Sequence, residues 1–91
     1  MKKLSLVILF IALSWINAVG QSAEGYYIRG ASKNDLKDYY GAIADFTKAI
    51  ELNPNYTDAY IFRGVSKAEL GDYYRAIADF SKVIELDPNY T

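Results

Sequence analysis

One string of this chain occurs twice at a fixed spacing: Ala42-Ile43-Ala44-Asp45-Phe46 returns as Ala76-Ile77-Ala78-Asp79-Phe80. A second, Asn53-Pro54-Asn55-Tyr56-Thr57, returns with one change as Asp87-Pro88-Asn89-Tyr90-Thr91. Both recur 34 residues on, and residues 23–56 laid on residues 57–90 without a gap are identical at 21 of 34 positions. A period of that length means a stacked-repeat architecture. One unit is a small supersecondary element that cannot bury its apolar face alone and gains a core only against its neighbour.

Each copy reads as two helices. Tyr26, Arg29, Gly30 and Lys33, repeated as Tyr60, Arg63, Gly64 and Lys67, fall at i, i+3, i+4 and i+7 and so share one helical face. The second helix carries an apolar stripe of Tyr39, Ala42, Ile43, Phe46 and Ile50, repeated as Tyr73, Ala76, Ile77, Phe80 and Ile84. Gly71 is a helix stop and Asp72 an N-cap. Lys37 stands at the position of Gly71 in the first copy, where a left-handed backbone would cost it up to ~1 kcal/mol. Pro54 and Pro88 end the units, because proline cannot continue the hydrogen-bond ladder. Gly30 and Gly64 are expected to face Ala42 and Ala76, letting the two helices approach closely, with Phe46 and Phe80 in the next layer. An Arg on such a face calls for a carboxylate, and the pairs expected from helix geometry are Arg29–Asp45 and Arg63–Asp79. The fold class that follows is all-α: a short α-solenoid of two stacked antiparallel helix hairpins, with repeats at 23–56 and 57–90.

Composition narrows the chemistry. Ten Lys and Arg against eleven Asp and Glu give a net charge of −1, so nucleic acid is not an expected partner. The chain has no Cys and no His, which removes the thiolate nucleophile, the commonest metal ligands and the usual general base. No cofactor, metal site or enzymatic activity is expected. Gly25 to Ser32 has the outline of a phosphate loop, but Ala31 stands in place of its Lys and the segment lies within a helix. The sequons at Asn55 and Asn89 read as turn chemistry. The carboxylates Asp35, Asp38, Glu69 and Asp72 read as caps and solvated rim.

Residues 1–20 have a different character. Met1-Lys2-Lys3 is followed by the apolar run Leu4 to Ile16, then Asn17-Ala18-Val19-Gly20. This is the three-part pattern of a secretory signal peptide, with cleavage expected after Gly20 and export of a mildly acidic mature chain, periplasmic or secreted. The alternative is a membrane anchor formed by residues 4–19, a run shorter than the about 20 residues of a full span.

The repeat residues resemble the tetratricopeptide repeat family. Its pattern of an aromatic, Gly, Gly-Asp/Asn-Tyr turn, Ala, aromatic, Ala and Pro falls on Tyr60, Gly64, Gly71-Asp72-Tyr73, Ala76, Phe80, Val83 and Pro88, and in the first copy on Tyr26, Gly30, Lys37-Asp38-Tyr39, Ala42, Phe46, Ala49 and Pro54. Lys37 and Val83 depart from it, at the Gly and at the last Ala. The resemblance implies a protein–protein interaction module whose first helices line a concave groove holding a partner peptide or helix. The residues so placed are Glu24, Tyr27, Ala31, Asn34 and Asp35, then Asp58, Ile61, Val65, Ala68 and Glu69. The carboxylate clamp of the chaperone-binding branch is absent, since Tyr27, Ala31, Ile61 and Val65 occupy its places. An apolar centre with an acidic rim suits a partly apolar, basic segment with Tyr27 as anchor; alternatively Tyr27 and Ile61 pack against each other between repeats. Two repeats without a polar capping helix leave Ile77, Phe80 and Ile84 exposed on the last helix. That end is expected to make the protein a homo-oligomer or a partner-completed stack, or else the chain is a fragment of a longer repeat protein.

Overall fold

A computed structural model describes residues 20–90 of the chain. Four helices follow in order: α1 Ala23–Asp35, α2 Tyr39–Leu52, α3 Thr57–Glu69 and α4 Tyr73–Leu86. Consecutive helices pack on one another; α1 also touches α3, whereas α2 and α4 do not meet. The stack is therefore bent, with α1 and α3 on its inner side and α2 and α4 splayed on its outer side. This is the all-α, two-hairpin solenoid that the period predicts. The expected signal or anchor segment lies outside the described residues, except for Gly20. Among the described residues, no helix is long and apolar enough to cross a membrane.

The turns inside the two hairpins are built alike. At the end of α1 the Lys37 N–H donates to the Asn34 carbonyl at 2.9 Å and the Asp38 N–H to the Lys33 carbonyl at 2.8 Å. Gly71 and Asp72 repeat this on Ala68 and Lys67, each at 2.9 Å. Both are Schellman motifs, which need a left-handed residue just past the helix. Gly71 has φ +83° and Lys37 φ +63°. Asp38 and Asp72 then cap α2 and α4, accepting from the N–H groups of Gly41 and Arg75. Lys37→Gly is expected to stabilise the protein by about 0.5–1 kcal/mol, as the backbone strain of a Cβ at positive φ is removed. Thermal unfolding followed by circular dichroism should show the midpoint rising by a few degrees.

The start of α3 is held differently. Thr57 is its first residue, and Tyr56 before it occupies the N-cap position and makes no side-chain cap. The first turn is instead tied back by the Tyr60 hydroxyl, which donates to the Pro54 carbonyl at 3.0 Å.

The core runs along α2 into α3: Ala42, Phe46, Ala49 and Ala59 are fully buried. Gly30 and Gly64 receive the rings of Phe46 and Phe80, the side chains expected in the next layer. A Cβ on either glycine would lie 2.7 Å from the ring Cε1. The aromatic ring itself takes the space that a side chain would need, so ring insertion sets how closely each hairpin closes. Burial then falls off toward the chain end. Phe46 is inaccessible, its equivalent Phe80 is 36% exposed, and Ile77 and Ile84 on α4 are exposed as expected.

Candidate functional site

On the inner side, the ten residues assigned to the groove separate into three groups. Glu24, Asp35, Asp58 and Glu69 are exposed. Ala31, Ile61, Val65 and Ala68 are half-buried, giving an apolar strip along α1 and α3 between those carboxylates. Tyr27 and Asn34 are also half-buried, and both are committed to the junction between the repeats.

Tyr27 sits at the centre of an aromatic cluster. Its ring centroid is 5.2 Å from that of Tyr56 and 5.9 Å from those of Phe46 and Phe62, while Phe46 and Phe62 stack at 6.2 Å. Such pairs are worth about 0.5–1.5 kcal/mol each beyond the area they bury. The cluster joins α1, α2, α3 and the turn before α3, so Tyr27 packs between repeats rather than standing free as an anchor. Its aromatic partner on α3 is Phe62. Asn34 is fixed in a comparable way: its Oδ1 accepts from the buried Ser66 hydroxyl at 2.9 Å. Phe62, Tyr56 and Ser66 were not among the residues singled out from sequence. The one available signal is that Ile28 becomes Phe62 between copies, an aromatic gain that a junction present only once would require.

The two tyrosines also report the charge of this face. The Tyr27 phenol is pushed above its ordinary value by burial and then by Asp58. Tyr56 is pushed up by burial, then by Glu24, Tyr27 and Asp58. Both carboxylates thus act on the same end of the strip. A phenol whose pKa is higher folded than unfolded contributes fully below about pH 10, and its contribution is lost as pH rises through the folded value. Stability is accordingly expected to be flat through neutral pH and to fall above pH 10. The double variant Tyr27→Phe/Tyr56→Phe should lose less stability there in a pH series of urea melts.

The expected ion pairs are present but unequal. Arg63 grips Asp79 with two bonds, Nε to Oδ2 at 2.9 Å and Nη2 to Oδ1 at 2.7 Å, and its Nη1 donates to the Thr47 hydroxyl on α2 at 3.2 Å. Arg29 reaches Asp45 only through Nη2 at 3.6 Å and stays 55% exposed, against 16% for Arg63. Lys67 and Lys33 complete each site, with Nζ 2.9 Å from Oδ2 of Asp79 and Asp45 respectively. For Asp45 this is ion pairing without hydrogen-bond alignment, since Oδ2 has no aligned donor. Each Lys lies four residues after its Arg, on the same helical face, which is the sequence signal that would have found it. Recurring in both hairpins and closing helix on helix, these clusters are structural. Among the described residues, no group of acidic side chains could hold a metal ion.

The family profile described as tetratricopeptide repeat matches residues 23–56 and 57–90, in register with the two hairpins. Among solved structures, a crystal structure of MamA is similar over 77% of this chain at 34% identity, with a TM-score of 0.75. The Arabidopsis OM64 TPR domain is similar over 84% at 33% identity, with a TM-score of 0.77. The matched region spans 41% of the MamA chain and 63% of the OM64 chain. No curated protein matches the sequence significantly. With both hairpins matched from end to end, the chain belongs to the tetratricopeptide repeat family, whose domains are in general protein–protein interaction modules and whose repeats are typically non-catalytic.

Proposed function

We propose that the inner face of α1 and α3 binds a partly apolar, positively charged segment of another protein. The observation carrying this reading is the half-buried strip of Ala31, Ile61, Val65 and Ala68 set between exposed Glu24, Asp35, Asp58 and Glu69. An apolar centre supplies affinity by excluding water, while rim carboxylates steer and orient a cationic partner. Tyr27 and Asn34 act here from beneath, by fixing the angle between the repeats and hence the shape of the strip. The face lacks the basic residues that would hold a terminal carboxylate, so an internal segment or helix is the favoured ligand.

The test is fluorescence anisotropy with two labelled amphipathic peptides of identical apolar pattern, one bearing Lys and the other Glu on its polar face. The Lys peptide should bind at least about tenfold more tightly, a difference of about 1.4 kcal/mol, and weaken as salt is raised. Ile61→Asp should lose that binding while keeping its helical circular dichroism. Equal affinity for both peptides, or binding untouched by Ile61→Asp, contradicts the reading.

The chain is also proposed to act after export, on the strength of the Lys2-Lys3 start, the apolar run and the small residues before Gln21. The mature protein recovered from the exported fraction should then begin at Gln21. A product that begins at Met1 and sediments with membranes would instead support the anchor formed by residues 4–19.

A further inference from the structure

The first and last described helices, α1 and α4, carry the two halves of the junction at the middle of the stack. Inside the chain, α3 covers α2. Tyr40 and Ile43 face Lys67 and Leu70 across a crevice of about 330 Å³, Phe46 stacks on Phe62, and Thr47 accepts from Arg63. Moved by one repeat of 34 residues, the α2 side of that junction becomes Tyr74, Ile77, Phe80 and Ser81 on α4. Moved back by one repeat, the α3 side becomes Lys33, Leu36, Ile28 and Arg29 on α1. Tyr, Ile, Lys and Leu are retained without change, Thr becomes Ser with its hydroxyl intact, and the Phe–Phe pair becomes Phe–Ile. Both displaced halves are open: Leu36 is 80% exposed and Ile77 60%, and Ile28, Tyr74 and Ile84 are exposed as well. Arg29, loose on Asp45, is what Arg63 would be without Thr47 above it.

We propose that copies of this protein stack head to tail, α1 of one molecule covering α4 of the next as α3 covers α2 within the chain. The new contact continues an interface already formed in the molecule, with four of its residues unchanged at the same helical positions. In the stacked form Leu36 lies against Tyr74 and Ile77 of the neighbouring copy, Ile28 covers its Phe80, and Arg29 donates to its Ser81 hydroxyl. The contact is heterologous, so it does not close on two copies, and each addition leaves one α1 face and one α4 face free. Stacking would lengthen the inner strip of α1 and α3, but it does not depend on what that strip binds.

The experiment is sedimentation velocity on the full chain over a concentration series, with Ile28→Asp and Ile77→Asp, alone and mixed. Both side chains are exposed in the single molecule, so each variant should keep its helical circular dichroism. The wild type should give an open-ended, concentration-dependent series of species. Each variant alone should be monomeric at concentrations where the wild type associates. An equimolar mixture should form a 1:1 dimer and stop there, because Ile28→Asp retains a good α4 face and Ile77→Asp a good α1 face. A wild-type monomer throughout the series would overturn the proposal. So would dissociation by Ile77→Asp but not Ile28→Asp, which marks a symmetric α4–α4 dimer, or association that survives both variants, which places it elsewhere in the chain.

Discussion

Phe46→Ala is expected to destabilise the protein by about 3–5 kcal/mol, the range for removing a fully buried aromatic side chain and leaving a cavity. The ring fills the notch at Gly30, stacks on Phe62 and packs on Tyr27, so its loss opens both the first hairpin and the junction to the second. Net stabilities of ordinary domains are only about 5–15 kcal/mol, and a two-repeat stack has little core to spare. The variant should therefore be largely unfolded at 25 °C. Phe80→Ala makes the same chemical change one repeat later, where the ring is partly in water and no further described helix covers it. It should cost less than half as much in urea denaturation of dilute protein, where neighbouring copies do not cover α4. Equal losses for the two variants would contradict the burial gradient along the stack.

The second large effect is expected at Asp79. Removing its carboxylate in Asp79→Ala leaves Arg63 and Lys67 side by side, each with a largely enclosed side chain. Breaking a buried pair by deleting one partner typically costs about 3–5 kcal/mol, because the remaining charge is left uncompensated. Asp45→Ala should cost only about 1 kcal/mol, since Arg29 and Lys33 can turn out to water. Urea melts of the two variants, compared with wild type at one pH and salt, check the ordering. Losses of similar size would mean that the grip of Arg63 on Asp79 adds nothing beyond a surface ion pair.

This asymmetry between equivalent residues marks where sequence reasoning stops. The period of 34 made the helices, the hairpin turns, the left-handed Lys37 and the Arg–Asp pairs legible, because each is a contact within one repeat and is written twice. The junction between repeats occurs once in the chain, so its residues have no second copy to announce them. Tyr27, Phe62 and Asn34 therefore look like variable positions, and variation is also what a ligand-contacting surface shows; Tyr56 recurs as Tyr90 and reads as part of the turn. Geometry separates the two classes: Tyr27 and Asn34 turn inward to the junction, while Ile61 and Val65 stay on the strip. Burial of equivalent residues was likewise unreadable. Arg29 and Arg63 occupy the same helical position, and their environments differ because α2 lies over Arg63 while no described helix lies over Arg29 in the same way. The Gly–Phe fit was missed for a simpler reason. Small residues on two helices suggest close approach but do not say which larger side chain exploits it.

The central functional claim is that partner recognition belongs to the inner face of α1 and α3. Its most direct measurement is a titration of the ¹⁵N-labelled protein with the Lys-bearing amphipathic peptide, followed by amide chemical shifts. The largest changes are expected on Ala31, Ile61, Val65 and Ala68 and on the rim at Asp58 and Glu69, with the outer residues Ala44, Glu51, Ala78 and Glu85 unmoved. Changes centred on α2 and α4, with α1 and α3 silent, would contradict it.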